Sequence, residues 1–213
     1  MNTQKALQLA FQHLNDGNLS AAAQLFNSIL HREPRNFAAL NGRGLIAFQQ
    51  NLLPQALADL KASLSLNPKQ PFVKKMLGIV LGATGQFDAA MEMFAQALAL
   101  DSKDPEIYFN RANFRFQVGQ AQEALIDLDE AIKLRGSYLE ARSNRANLLI
   151  QLNEFARAEK DLDYLVNKVT NNPDVWVALG FARHKLGRFR EALFCNERAL
   201  EFEIGRASCR ERV

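Results

Sequence analysis

Apolar residues recur at three- and four-residue spacing along almost the whole chain, as in the stretch ALGFARHKLG and the stretch that follows it, RFREALFCNERALEF. This spacing places the apolar side chains on one face of an α-helix. The stretches come in pairs, and a glycine or an asparagine separates the two members of a pair. These residues readily take the left-handed backbone conformation that ends a helix. The pattern therefore predicts an all-α chain built from helix–turn–helix pairs.

The pairs repeat with a period of 34 residues. Pro34 and Pro68 lie one period apart, and each closes a similar phrase, FNSILHREP and LKASLSLNP. Where two helices cross closely, only a small residue lets the backbones approach, and a bulky one would cost about 1–3 kcal/mol. Three columns keep the period: an alanine column at Ala22, Ala56, Ala90, Ala124, Ala158 and Ala192, a small-residue column at Ala10, Gly44, Gly78, Ala112, Ala146 and Gly180, and a turn column at Gly17, Asn51, Gly85, Gly119, Asn153 and Gly187.

The period divides residues 3–202 into six units without insertion or deletion. Prolines near the unit boundaries are expected in first helical turns, where a proline costs no hydrogen bond. No single pair can bury its apolar faces alone, so we expect the pairs to stack into a solenoid. The units are 3–36, 37–70, 71–104, 105–138, 139–172 and a truncated 173–202, and the boundary prolines are Pro34, Pro68, Pro105 and Pro173.

The three columns and the phrase WVALGFARHKLGRFREALFCNERAL resemble tetratricopeptide repeats, or TPRs. The resemblance covers residues 3–202 and implies a right-handed superhelical solenoid of six 34-residue helix-turn-helix repeats. It says little about function, because one fold can serve many tasks. In this family the first helix of each pair lines a concave groove, which binds a peptide or a partner helix.

Residues 203–213, EIGRASCRERV, do not continue the repeat pattern. Back-translated, they resemble a short-read sequencing adapter, so we expect read-through and leave them out of the fold. The alternative is a genuine basic tail with a reactive Cys209. If the tail is read-through, the native C-terminal segment is missing. Leu193, Leu200 and Phe202 would then have packed on that segment, because the ends of a solenoid need polar caps.

Composition narrows the possible partners. Among 213 residues, 48% are apolar and 23% are charged, which is ample for a folded core. The net charge of +3 is small and not collected into a patch, which argues against nucleic acid as a partner. Neither a secretory signal nor a stretch of about 18 apolar residues occurs, so we expect no membrane partner and a cytoplasmic location.

Catalytic and metal-binding patterns are absent from the sequence. His13, His31 and His184 fall at different places in the repeat, which argues against a metal site. Cys195 has no histidine at helical spacing and is interpreted as a packing residue. Glycines belong to the repeat columns or to turns, so no phosphate loop is predicted. We therefore expect no cofactor and no catalysis by this segment. Whether the full-length protein is an enzyme stays open.

Charged residues also recur at repeat positions. Asp127 and Asp161 each stand two residues before another aspartate, so the two carboxylates point to different sides of a second helix. These acidic residues are interpreted as solvated or locally paired. Arg111 and Arg145 share a register with Leu77, which favours packing of the arginine stem or an ion pair between repeats.

The predicted groove changes character along the chain. The first three units supply mainly apolar residues, and the fourth and fifth supply asparagines from the phrases YFNRANFRFQ and RSNRANLLIQ. The first set is Leu7, Phe11, Leu14, Asn41, Leu45, Phe48, Phe72, Lys75 and Ile79. The second set is Asn110, Asn113, Asn144 and Asn147, with Phe109, Phe116 and Ile150 for apolar contact.

Asparagine is a mediocre helix former, so four at repeated positions suggest a use. Its side chain has both a donor and an acceptor and could clamp the backbone amides of an extended peptide. Alternatively, Asn110 and Asn144 bond each other or neighbouring turns and only orient adjacent repeats.

Two resemblances within the family bear on the partner. Chaperone-binding members hold a terminal carboxylate with lysine, asparagine and arginine, but here Ile79, Phe109 and Asp174 break that clamp, which argues against heat-shock chaperone tails. The NRAN phrases resemble the asparagine ladder of O-linked N-acetylglucosamine transferase-like glycosyltransferases. Asn110 and Asn144 match its register.

The expected function is a scaffold that binds an extended peptide or a partner helix in its groove. One alternative is the substrate-recruiting arm of a glycosyltransferase or another modifying enzyme. The other is a homo-oligomerisation module. The sequence names neither the partner nor the source organism.

Overall fold

A computed structural model describes the backbone of residues 1–168 and 172–210, and the side chains in these ranges as far as Phe202. Its described residues form twelve α-helices and no strand, which confirms the all-α prediction. The helices are α1 Thr3–Asn15, α2 Leu19–Arg32, α3 Phe37–Gln49, α4 Leu53–Leu66, α5 Pro71–Ala83, α6 Phe87–Leu100, α7 Pro105–Gln117, α8 Ala121–Leu134, α9 Leu139–Gln151, α10 Phe155–Lys168, α11 Pro173–Lys185 and α12 Phe189–Arg210.

The odd-numbered helices begin 34 residues apart, at Thr3, Phe37, Pro71, Pro105, Leu139 and Pro173. Each is followed by a tight turn whose φ angle is positive, from 59° at Asn51 to 81° at Gly119. All six members of the predicted turn column adopt this left-handed conformation, so that prediction is confirmed. Asparagine tolerates it because its short polar side chain bonds locally.

The boundary prolines behave in two ways. Pro105 and Pro173 are the first residues of α7 and α11, as predicted. Pro34 and Pro68 lie in the loops before α3 and α5, so the expectation of a first-turn position was wrong for them. Two linking residues separate each of these prolines from the next helix. Before α3 one of them is Asn36, whose side chain caps the helix by accepting from the Ala39 N–H at 3.0 Å.

The first compact unit comprises residues 1–114 and contains α1 to α6 and most of α7. Phe26, Leu60 and Phe94 from the second helices are fully buried at its centre. Successive helices pack on each other, and α3 also contacts both α1 and α5. The first helices of these pairs are therefore neighbours and form one layer.

The small-residue column has the predicted steric role in this unit. A Cβ at Gly78 would lie 2.9 Å from the Phe94 ring, and a Cβ at Gly44 would lie 3.1 Å from the Leu60 side chain. Both distances are shorter than ordinary van der Waals contact. Larger side chains at these positions would force the paired helices apart.

The second compact unit comprises residues 115–213, in which the described helices are α8 to α12. Leu149, Leu165 and Leu179 are fully buried in it. The last helix continues to Arg210 and so extends beyond the predicted break in the pattern at Glu203. The side chains from residue 203 onward and residues 211–213 lie outside the described residues. The interpretation of residues 203–213 as read-through of a sequencing adapter stays a prediction.

Candidate functional site

The first helices of the first unit present one row of side chains. Three positions recur in α1, α3 and α5 at spacings of four and three residues, which places them on one face of each helix. We call this row, together with Phe72, the first-helix surface. Its members are Leu7, Phe11 and Leu14 on α1, Asn41, Leu45 and Phe48 on α3, and Phe72, Lys75, Ile79 and Gly82 on α5.

The apolar members of the first-helix surface pack against buried residues on one side and are partly exposed to solvent on the other. The ring of Phe11 meets the buried Phe26 ring edge-on, with 5.0 Å between the ring centroids. Phe48 and Ile79 pack against the buried cluster that contains Leu60, and both stay partly exposed. Phe72 is 48% exposed. The surface therefore offers apolar contact from side chains whose rotamers are already restricted.

Asn41 bonds toward the next pair. Its Nδ2 donates to Oε1 of Gln70 at 2.8 Å, just before α5 begins. The Nε2 of Gln70 in turn donates to the carbonyl of Asn67 at 2.7 Å and to Oγ of Ser63 at 3.2 Å. The Oδ1 of Asn41 is buried and has no hydrogen-bond partner among the described residues. Asn41 thus links adjacent repeats and retains an acceptor.

Lys75 is not a free cation for a ligand, which corrects its expected place in the groove. It is 5% exposed, and its Nζ lies 2.8 Å from Oδ2 of Asp104 and 2.7 Å from Oε2 of Glu106. Burial on its own would lower the pKa of Lys75, but the two carboxylates outweigh burial and the pKa is raised. The ammonium group links α5 to the start of α7, and the two carboxylates occupy two of its three hydrogen-bond donors.

The asparagines of the fourth and fifth pairs lie on α7 and α9, as the repeat predicted. The Nδ2 of Asn110 donates to the Glu106 carbonyl of its own helix at 2.7 Å, a bond that neither sequence-based alternative anticipated. Asn113 and Asn144 are half-buried, and Asn147 is exposed. A peptide clamp by these residues stays a prediction.

The apolar residues predicted beside these asparagines are also partly accessible. Phe109 on α7 and Ile150 on α9 are half-buried, and Phe116 near the end of α7 is 44% exposed. Asn110, Asn113 and Phe109 belong to the first unit. Asn144, Asn147, Phe116 and Ile150 belong to the second unit.

Ion pairs lie among the buried apolar residues of the second unit. The guanidinium of Arg145 donates to Asp161 of α10 at 2.6 and 2.7 Å and to Asp129 of α8 at 2.7 Å. The predicted ion pair between repeats is confirmed for Arg145. Burial would lower the pKa of Arg145, but the two carboxylates raise it. The guanidinium therefore stays charged inside the unit.

Asp127 and Asp161 are buried and paired with arginines, so of the two alternatives, solvated or locally paired, the structure supports local pairing. Each is 1% exposed, and each holds at least one arginine. Asp127 accepts from Arg115 at 2.8 Å, and Asp161 accepts from Arg142 at 2.8 Å in addition to Arg145.

The histidines lie on three different helices. His13, His31 and His184 lie on α1, α2 and α11, and no group of three or more metal-ligating side chains occurs among the described residues. Cys195 is buried, and burial raises the pKa of its thiol, to which Arg183 donates at 3.3 Å. None of the helices in the described ranges has both the length and the apolar character needed to cross a membrane.

Comparison with known proteins identifies the repeat. The tetratricopeptide repeat family matches residues 7–71 under the description "Tetratricopeptide repeat" and residues 78–119 under "TPR repeat". Tetratricopeptide repeat protein 6 of Homo sapiens is 26% identical over 108 residues, which are 51% of this chain and 21% of that protein. The chain therefore spans about a fifth of the length of this relative.

Solved structures share the fold at low sequence identity. PilF of Pseudomonas aeruginosa superposes with a TM-score of 0.81 at 16% identity, over 97% of each chain. YrrB, described as a TPR protein with an unusual peptide-binding site, superposes with a TM-score of 0.72 at 18% identity, over 85% of this chain and 93% of YrrB. The repeat period, the turn conformation, the family matches and these structures agree. The chain belongs to the tetratricopeptide repeat family.

Proposed function

We propose that this chain is a protein-interaction scaffold and that its first-helix surface binds an extended peptide or a partner helix. The observation that carries the proposal is the row of partly exposed apolar side chains on α1, α3 and α5. These three helices contact each other in sequence within one compact unit. A polypeptide that crosses them would meet an apolar side chain on each helix.

Apolar burial supplies the affinity in this proposal. Each square ångström of apolar surface removed from water contributes about 25 cal/mol. Phe11 is already held against Phe26, so little side-chain freedom remains to be lost when a partner arrives. The surface is in this sense prepared for binding.

Side-chain amides supply contacts that do not depend on the partner's sequence. Asn110 uses its Nδ2 within its own helix. We propose that its Oδ1 accepts a hydrogen bond from a peptide N–H. Asn113 lies one turn further along α7 and is half-buried. In the second unit, Asn144 and Asn147 occupy the same two repeat positions. We propose that each asparagine pair holds peptide backbone in its own unit.

The peptide-binding site described for YrrB, which has the same fold, supports a peptide as partner. Two narrower proposals concern the identity of that partner: the substrate of an attached glycosyltransferase, or another copy of this chain. Both of these partners would bind the first-helix surface. One experiment therefore tests this surface first, before the two partners are distinguished.

The experiment selects binding peptides from a random display library and measures their Kd for the purified chain by fluorescence anisotropy. Phe72→Glu should weaken binding about tenfold or more, since it replaces a large apolar contact by a charge. Leu100→Glu on α6 is the control, because Leu100 is 44% exposed against 48% for Phe72. Neither change should alter the melting temperature, since both side chains are exposed.

Asn110→Ala with Asn113→Ala tests the amide contacts in the same assay. Weaker binding of all selected peptides supports backbone clamping, because the amides do not read side chains. Equal weakening by Phe72→Glu and Leu100→Glu would refute the first-helix surface. Light scattering on the same samples detects self-association, which would identify a second copy as the partner.

A further inference from the structure

The helices that carry the first-helix surface contain no acidic residue. Their sequences are TQKALQLAFQHLN in α1, FAALNGRGLIAFQ in α3 and PFVKKMLGIVLGA in α5. Each of the other first helices has an acid at its second residue, namely Glu106 on α7, Glu140 on α9 and Asp174 on α11. The first-helix surface therefore has no carboxylate on its own helices to receive a basic side chain of a partner.

Four of the five basic residues on these helices point away from the surface. The middle members of the surface are Phe11, Leu45 and Ile79. Since each residue turns an α-helix by about 100°, the four basic residues lie at least about 120° around their helices from these middle members. They are Lys5, His13, Arg43 and Lys74.

The fifth basic residue, Lys75, stands at a surface position, but its charge is met inside the first unit. Its side chain is buried, and its ammonium group lies between the carboxylates of Asp104 and Glu106. Within residues 1–114, α1, α3 and α5 thus present to a partner neither an acid nor an exposed cation.

Uncharged amides flank the apolar members of the surface. Gln8, Asn15 and Gln49 each follow an apolar member by one residue, and all three are exposed. Within the first unit their side chains make no hydrogen bond. Each offers two N–H donors and a carbonyl acceptor. A bound polypeptide would therefore meet hydrogen-bonding groups beside the apolar row.

These amides favour an extended segment as the occupant over a helix. The backbone N–H and C=O groups in the middle of a helix already bond within the helix, whereas an extended segment leaves them without partners. Such groups cost free energy when binding removes them from water unless they find a new hydrogen bond. Exposed glutamine and asparagine side chains can supply that bond without reading the partner's side chains.

The width of the surface sets the length of the segment. Helix α3 contacts both α1 and α5. Packed helices lie about 8–10 Å apart, so the axes of three neighbouring helices span about 20 Å. An extended chain advances about 3.3 Å per residue, so about six residues cross the surface.

We infer that the first-helix surface selects an extended segment of about six residues in which no side chain is charged. This partner class rests on the proposed function and narrows it. A charge within the segment would leave water against Phe11, Leu45 or Ile79, where α1, α3 and α5 provide no opposite charge. Removing a charge from water without such a partner is strongly unfavourable.

The probes are peptides selected on the purified full chain from a display library with about ten randomised positions. Binders that use the first-helix surface are recognised by their loss of affinity for the Phe72→Glu variant in fluorescence anisotropy. We expect these binders to share a run of about six positions in which aspartate, glutamate, lysine and arginine are depleted about fivefold or more. The unselected library gives the baseline frequencies.

One such binder is then varied at the central residue of the run. Glutamate is compared with glutamine, and lysine with methionine, so that charge changes while size stays similar. Each charged peptide should bind about tenfold or more weakly than its uncharged counterpart. The same charges placed at the peptide ends, outside the run, should change Kd by less than about twofold at about 0.15 M salt.

The double variant Gln8→Ala with Gln49→Ala tests the amide contacts. It should weaken all binders about threefold or more, whatever their sequence, because backbone hydrogen bonds are lost. Gln24→Ala with Gln55→Ala is the matched control, since these two glutamines are also exposed but lie on second helices. It should leave the Kd unchanged. Replacing the central peptide residue by α-aminoisobutyrate, which favours a helix, should weaken binding.

Three results would overturn the inference. The first is a set of Phe72→Glu-sensitive binders that carry charged residues at the library frequency throughout. The second is equal Kd for the glutamate and glutamine peptides and for the lysine and methionine peptides. The third is tighter binding with α-aminoisobutyrate, which would make a helix the occupant. A selection without any Phe72→Glu-sensitive binder is distinct from these, because it refutes the proposed function itself and removes the partner class with it.

Discussion

The second and third helix pairs of the first unit fill the same central position by opposite means. In the second pair, Arg43 of α3 makes a bidentate bond to Asp59 of α4, with distances of 2.7 and 2.8 Å. One period later these positions hold Leu77, which is 4% exposed, and Met93, which packs against the same apolar cluster. The repeat therefore specifies a filled volume between the two helices, and either an ion pair or two apolar side chains can fill it.

At the junctions between pairs, a large residue packs near a small one, and which of the two helices carries the large residue changes from one junction to the next. Where the second pair meets the third, a large Phe48 packs against the cluster that contains the small Val80. Where the third meets the fourth, the order is reversed: Gly82 is small and Phe114 is large. The interior is close-packed, so a change on one side requires the opposite change on the other. Residues in these repeats thus vary as couples.

The largest expected effect comes from removing one partner of the ion pair between Arg43 and Asp59. Asp59→Ala should lower the free energy of unfolding by about 3 kcal/mol, because it leaves a partly buried guanidinium without its carboxylate. The double change Arg43→Leu with Asp59→Met copies the third pair. It should restore stability to within about 1 kcal/mol of the wild type, since apolar residues of similar volume can replace a buried ion pair. Urea unfolding followed by circular dichroism measures both.

Lys61→Ala on the exposed side of α4 is the control for this series, and it should leave stability nearly unchanged. A double variant as unstable as Asp59→Ala alone would show that the two pairs are not interchangeable at this position.

A smaller effect on stability is expected from substitutions at Gly82 and Phe114, which pack together as a small and a large residue. Gly82→Ala should cost about 2 kcal/mol, because the new Cβ would overlap the Phe114 ring. Adding Phe114→Val should recover part of that loss, since it moves this junction toward the size order of the preceding one. Thermal unfolding monitored by circular dichroism gives the differences in stability.

Gly136→Ala is the matched control, because nothing lies within 4 Å of a Cβ at that position and its φ angle is not positive. It should be neutral or slightly stabilising, since alanine reduces the freedom of the unfolded chain. A loss at Gly136 equal to that at Gly82 would mean that helix propensity or turn flexibility, and not the ring, sets the cost.

The sequence predicted those features that depend on single residues and short spacing. Gly17 and Asn51 end helices in the left-handed conformation because their local chemistry permits it, whatever packs around them. Gly78 lies at a close crossing because its column admits only small residues. Both kinds of signal lie within one repeat, so the period alone was enough to find them.

The ion pairs were missed at Arg43 and Asp59, although the sequence carries a signal for them. Arginine at one repeat position coincides with aspartate sixteen residues later, and where the first is leucine the second is not acidic. Comparing columns in couples, and not singly, would have predicted the ion pairs. Within the two units the couples are Arg43 with Asp59, Leu77 with Met93, Arg145 with Asp161 and Leu179 with Cys195.

The candidate site was harder to predict than the fold. Lys75 stands at a groove position, yet it is buried by carboxylates from residues 29 and 31 positions later in the chain. Asn110 was placed correctly on α7, but its bond to the Glu106 carbonyl depends on one choice of side-chain rotamer. Position on a face follows from spacing, whereas the partner of a long polar side chain depends on the neighbouring repeat and on local geometry.

The smallest expected effect concerns Lys75, a buried cation of the third pair whose equivalent in the second pair is the neutral Asn41. Lys75→Gln should cost about 1.5 kcal/mol at neutral pH, because two charge-assisted hydrogen bonds are lost. The pKa of Lys75 is raised by Asp104 and Glu106 against the opposing effect of burial. Its stabilisation is therefore complete below the ordinary lysine pKa of about 10.4 and is lost as the pH rises through the higher value in the folded chain.

The stability difference between the wild type and Lys75→Gln should accordingly narrow as the pH is raised above about 10. Other lysines and tyrosines titrate in the same range, but they do so in both proteins and cancel in the difference. Lys75→Arg provides the matched comparison, since arginine stays charged throughout, and its advantage over Lys75→Gln should persist where that of lysine fades. A wild-type advantage that is constant with pH would show that Lys75 stabilises the third pair by packing of its aliphatic stem, and that its charge contributes little.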